Sequence, residues 1–167
     1  KKEKIFSDFA LSLESGKVYG LLGKNGAGKS TLLYLMTGLL LPQKGTILYK
    51  GENVSERLPS VLSEIFIVPE EFDLPKISLK RYIAINKGFY PNFSEVDLKA
   101  NLAHFELDSD IHLGALSMGQ KKKVFMSFAL ATNTPLLIMD EPTNGLDIPG
   151  KSQFKKFIAS RMTDERT

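Results

Sequence analysis

The chain contains no cysteine, only two histidines and no apolar run long enough to cross a bilayer. Without cysteine it can form neither disulfides nor thiolate metal sites, which is compatible with a reducing compartment. Its longest apolar run, LLYLMTGLLL at 32–41, is half the roughly 20 residues a transmembrane helix needs and is broken by Thr37 and Gly38. Neither charge dominates: 22 basic against 19 acidic residues leave +3, and the pI near 9.0 reflects a few surplus lysines rather than a polycationic face. Nucleic acid is therefore not an expected partner. The opening KKEKIFSDF has charge but neither an initiating Met nor an apolar stretch behind it, so it reads as a trimmed start, not a signal peptide. There is no internal repeat and no low-complexity segment.

What is present, 43% hydrophobic and 25% charged residues over a length of 167, is the composition of one globular domain. Alternation of Phe9, Leu11 and Leu13 up to Ser15-Gly16 predicts a strand, and VYGLL at 18–22 predicts a second, buried one. Apolar residues at helical spacing from Lys29 to Met36 predict a helix, with Gly38 placed for a left-handed cap. GTILYKG reads as strand and turn, and IFIVP at 65–69 as a buried strand. The composition then turns helix-rich and more polar to about Leu113. Within it Ser94 and Asp97 resemble a capping box, with Asp in place of Glu or Gln, opening a helix toward His104. A further helix from about Ser117 to Asn133 leads into LLIMD. His104 and His112 fall in the helical section and read as surface or helix-packing residues.

GKNGAGKST fits the phosphate-loop pattern G-x-x-x-x-G-K-[ST] and lies between a predicted strand and a predicted helix. In that context Gly23, Lys24, Asn25, Gly26, Ala27, Gly28, Lys29, Ser30 and Thr31 are the candidate nucleotide-binding residues. Backbone N–H groups curl around the phosphates, the helix directs its positive end at them, Lys29 adds charge at the β and γ phosphates, and Ser30 can ligate Mg²⁺. LLIMDEP at 136–142 reads as a parallel strand buried on both faces and ending in two acids. Strand alternation would turn Asp140 toward a Mg²⁺ shell and Glu141 toward an attacking water, making Glu141, with Lys29, the candidate catalytic pair.

Two further motifs narrow this broad class. LSMGQ at 116–120 resembles the LSGGQ signature of ABC-type ATPases and, as in that family, lies upstream of the LLIMDEP strand; NGLD at 144–147 resembles the family's D-loop. The resemblance implies an α/β P-loop fold with a parallel core sheet, an antiparallel β section and an inserted helical lobe. The core would comprise 1–69 and 134–167, and the helical lobe with the signature 70–133. It also implies a head-to-tail dimer, homomeric or heteromeric, in which Ser117, Gly119 and Gln120 meet the γ-phosphate of ATP held by the other subunit, with Asp147 at the same seam. ATP and Mg²⁺ are the implied ligands. An integral membrane permease is the implied partner, placing the chain peripherally at the cytoplasmic face of the membrane. GQKKK after LS resembles somewhat the exporters with separate permease chains.

Departures accompany the likeness. Met118 replaces the first glycine of the signature pair, and Glu70 stands where the family's Q-loop has Gln. A carboxylate there could still ligate the metal, and the competing reading is a plain charged loop residue. The lysines at 121, 122 and 123 oppose the helix dipole and read as a solvated face rather than added attraction for the partner's nucleotide. The family's adenine-stacking aromatic and switch histidine would lie before Ile5 and beyond Thr167, so the resemblance implies a cassette truncated at both ends. The alternatives are a soluble ABC ATPase acting on nucleic acid or ribosomes, or a weakly hydrolysing ATP-dependent clamp.

Overall fold

The computed structural model describes residues 5–146, 148–161 and 167. Helix α1 (Lys29–Met36) precedes the antiparallel pair β1 (Leu48–Tyr49) and β2 (Glu52–Asn53), and short α2 (Pro59–Leu62) precedes β3 (Ile65–Val68). Three helices follow, α3 (Leu79–Asn86), α4 (Glu95–His104) and α5 (Met118–Ala131), then β4 (Leu136–Met139) and α6 (Ile148–Arg161). β3 and β4 pair in parallel with Ile65 opposite Leu136 and Val68 opposite Met139. β1 and β2 are joined through Lys50 and Gly51, both at positive φ (50° and 88°), as a tight hairpin requires.

The parallel pair is apolar on both faces because its residues alternate between two clusters. Phe66, Val68, Leu137 and Met139 join a large cluster with α3, α4, α5 and α6. Ile65, Ile67, Leu136 and Ile138 join a smaller one with Leu33 and Met36 of α1 and the β1–β2 region. At the centre of the large cluster Phe128 of α5, only 1% exposed, has the rings of Phe66, Tyr82, Tyr90 and Phe93 at 5.1 to 6.4 Å. Such pairs add about 0.5–1.5 kcal/mol each beyond the area they bury. His104 stacks on Phe157 at 4.6 Å, and His112 is exposed, its backbone bridging to Ser78 before α3, so one is a helix-packing and the other a surface histidine, as expected.

The two strands expected at 9–13 and 18–22 do not form, and Val18 and Leu22 are 72% and 94% exposed. A strand persists only through bonds to a neighbour. β4's edge away from β3 is engaged by the backbone of Thr167, whose carbonyl accepts from Leu137 N–H and whose N–H donates to Pro135, both at 2.8 Å. Among the described residues, no strand pairs with VYGLL.

Gly38 fulfils its expected role at the end of α1, with φ 69° and its N–H on the Leu35 carbonyl at 3.1 Å. A Cβ there would lie 2.6 Å from the Val54 carbonyl oxygen. Gly38→Ala is accordingly expected to destabilise the fold by about 2 kcal/mol. Thermal unfolding checks this, and an unchanged midpoint would show that the turn relaxes without cost.

Candidate active site

The loop before α1 is open. Gly23 to Ala27 are exposed, Gly26 and Gly28 have φ of 79° and 92°, and Ala27 N–H closes a turn onto Lys24 at 3.2 Å. A side chain at Gly28 would strike Ile5 and Phe6, so close approach as well as backbone angle demands glycine there. The helices α3, α4 and α5 each begin with a serine hydroxyl, from Ser78, Ser94 and Ser117, accepting from the first turn, whereas α1 begins at Gly28 with no side-chain cap. Its first N–H groups thus present donors and the positive dipole end outward. Lys29 folds back over the loop, Nζ donating to the carbonyls of Gly23 (3.0 Å) and Lys24 (3.3 Å), while Ser30 and Thr31 sit half-buried in the first turn.

The acids come from the carboxyl ends of the paired strands. Asp140 N–H donates to Val68 at 2.9 Å, extending the ladder by one rung and leaving Asp140 only 4% exposed. Glu70 lies two residues beyond the end of β3, the strand paired with β4. Strand alternation does not place Glu141, because β4 ends at Met139 and Glu141 adopts φ 44°. A left-handed turn, and not the pleat, throws its side chain outward; Asp140 is buried and Glu141 exposed all the same.

Tyr34 ties the loop helix to these acids. Its hydroxyl is held above the usual phenol range, first by partial burial and then by the negative charges of Asp140, Glu70 and Glu71. Leu33 and Met36 on the same helix pack with Ile65 and Ile138 of the two strands that lead into these acids. The donor set of Ser30 hydroxyl with Asp140 and Glu70 carboxylates is hard oxygen and suits Mg²⁺. Among the described residues no cluster of three or more His, Asp or Glu could hold a metal alone, so such an ion would depend on nucleotide oxygens as well.

Ser117 and Gln120 make a complete capping box: Ser117 Oγ accepts from Gln120 N–H at 3.3 Å, and Gln120 Oε1 from Ser117 N–H at 3.0 Å. The S-x-x-Q spacing carries that signal, which the reading of LSMGQ as a signature alone passes over. No hydrogen bond among the described residues joins 117–120 to 23–31. Asp147 lies outside the described residues.

The lysine run is not a solvated face. Lys121 pairs with Asp73 at 2.6 Å, Lys122 is buried with Nζ donating to the Asn144 carbonyl, and Lys123 lies 5.7 Å from the Phe105 ring centroid. Each cation has its own partner, which offsets its unfavourable place near the positive end of α5. Glu70 is likewise no free loop residue, since Asn144 Nδ2 donates to its Oε1 at 2.6 Å. Asn144, Lys122 and Tyr34 are the residues that motif reading missed. The first was absorbed in a D-loop resemblance, the second in a charge run, and nothing in the sequence distinguishes the third.

An uncapped glycine-loop helix packed on the strands that lead into two acids, and a serine-capped signature helix, make up the candidate nucleotide-binding site. The family model described as ABC transporter matches residues 6–144, and the chain belongs to this family of ATP-binding ATPase domains. In Bacillus subtilis (strain 168) it is similar to the SkfA peptide export ATP-binding protein SkfE, 32% identical over 93% of this chain and 66% of the relative. It is also 27% identical to the ABC transporter ATP-binding protein YtrB of the same organism, over 98% of this chain and 56% of the relative. Among solved structures, a putative ABC transporter ATP-binding protein from Pyrococcus furiosus superposes with TM-score 0.72 at 30% identity, covering 86% of this chain and 72% of that one. The chain thus spans between about half and two thirds of the length of the two Bacillus relatives. No helix among the described residues is long and apolar enough to cross a membrane.

Proposed function

We propose that this chain is the ATP-binding and ATP-hydrolysing part of an ABC transporter, a core of 1–69 and 134–167 with a helical lobe of 70–133. It works as a head-to-tail dimer on a separate membrane permease at the cytoplasmic face. The observation that carries this reading is that α1, whose N-terminus is uncapped, packs through Leu33 and Met36 on β3 and β4, the two strands that lead into Glu70 and Asp140. The export named in SkfE favours export as the direction.

In this reading the residues of the glycine loop, Gly23 to Gly28, with Ser30 and Thr31, enclose the phosphates through backbone N–H groups. Lys29 exchanges its loop carbonyls for phosphate oxygens. Mg²⁺, held by the Ser30 hydroxyl and the Asp140 carboxylate with Glu70 as a further donor, would supply charge neutralisation at the phosphates. Glu141, exposed beside the buried Asp140, accepts a proton as water oxygen bonds to the γ-phosphorus and the bond to the ADP oxygen breaks.

The signature acts on the opposite subunit's nucleotide, with Asp147 beside it. Gly119 supports this: a Cβ there would meet nothing within 4 Å, yet glycine in a helix costs about 1 kcal/mol relative to Ala. Among the described residues nothing in its own subunit calls for glycine at that point, whereas an anion brought against the backbone does.

The deciding experiment measures phosphate release by the full-length protein with and without EDTA. Turnover should require Mg²⁺ and fall to background on chelation; ATP hydrolysis that survives chelation would overturn the site assignment.

A further inference from the structure

We infer that Lys122 and Asn144 are positioning residues that clamp the Glu141 turn between the signature helix and Glu70. This inference rests on the reading of Glu141 as the base. Asn144 uses three groups on three segments. Its N–H donates to the Glu141 carbonyl at 2.9 Å, its carbonyl accepts from Lys122 Nζ on α5, and its side-chain amide donates to Glu70 Oε1 at 2.6 Å after β3. One exposed residue thereby closes the turn that carries Glu141 and fastens it on two sides.

The charges explain the choice of residue types. Lys122 is 9% exposed, and a cation so buried needs compensation. Its hydrogen-bond partner is a neutral carbonyl, and the anion it reaches through Asn144 is Glu70. Each of the two bonds has one charged partner, the Lys122 ammonium on the Asn144 backbone carbonyl and the Glu70 carboxylate on its side-chain amide, and charge-assisted bonds are roughly twice as strong as neutral ones. Glu70 in the Q-loop position is thus matched to Lys122, four residues into the first turns of the signature helix after Met118, rather than being an isolated departure. Since Ser117 and Gln120 cap that same helix, a displacement of its N-terminus by a bound anion is passed through Lys122 to the turn that aims Glu141.

The test is a double-mutant cycle in the full-length protein, with Lys122→Gln, Glu70→Gln and their combination, beside Lys122→Arg and Asn144→Ala. Lys122→Gln and Asn144→Ala should each lower kcat about tenfold with KM for Mg·ATP within about twofold, as expected for a misplaced catalytic group. Amide hydrogen exchange at 141–146 should speed up in both. Lys122→Arg should stay near wild type, and the double variant should be no worse than the poorer single. Asn144→Ala leaves α5 intact and reads the clamp even where Lys122→Gln misfolds. Unchanged kcat and exchange in Asn144→Ala, or losses that multiply in the double variant, would overturn the clamp. Wild-type turnover in Glu141→Gln would instead overturn the base assignment, while the exchange measurement still reads the clamp.

Discussion

Glu141→Gln in the full-length protein is expected to bind Mg·ATP as tightly as wild type and to lose turnover by on the order of 10³-fold, the usual worth of a general base. Gln keeps the shape of Glu and removes only its basicity, so the exposed side chain and the φ of 44° are preserved. Asp140, buried and bonded through its N–H to Val68, is untouched, and phosphate binding with it. The trapped ATP should hold the two subunits together. Equilibrium nucleotide binding, steady-state phosphate release and size-exclusion chromatography together check the result, and wild-type turnover in this variant would remove Glu141 from the mechanism.

The second large effect is a rescue. Lys29→Ala removes the loop's cation, and Ser117→Arg replaces an exposed hydroxyl with a bulky cation at the point where the partner's anion would meet α5. Each homodimer should be nearly inactive. A head-to-tail dimer has two equivalent composite sites, so a heterodimer of the two variants has both defects in one site and the other site whole, and each heterodimer should return roughly half the wild-type turnover. If heterodimers that demonstrably pair stay as inactive as the parents, the signature does not act across the seam. Ser117→Arg also forfeits a cap, at a cost of about 1 kcal/mol, which the fold should tolerate.

The elements legible in the sequence are those whose signals are local. Apolar spacing with a terminal glycine marks α1, Ser94 marks the start of α4, and continuous apolar runs mark β3 and β4, although of the four residues of β4, expected to be buried on both faces, only Ile138 is fully buried. The strands at 9–13 and 18–22 were not recoverable in this way. Alternation shows that a segment suits a sheet and says nothing of whether an edge is open to receive it. The phosphate loop and the acids were legible as motifs, while the means of aiming Glu141 was not, because a turn at positive φ has no mark in the letters DEPT. The lysine run failed for a related reason: Asp73, Asn144 and Phe105, which give its members partners, come from three distant parts of the chain.

The alternation of β3 and β4 between two apolar clusters also guards the spacing of the acids. A slip of one residue in their pairing would push Phe66 and Val68 into the space shaped for Ile65 and Ile67, and would set Glu70 one step off from Asp140. The ring of Phe66, lodged against Tyr90, Phe125 and Phe128, makes that slip sterically expensive. Aromatic bulk far from any phosphate therefore acts as the ruler by which the two carboxylates keep their distance.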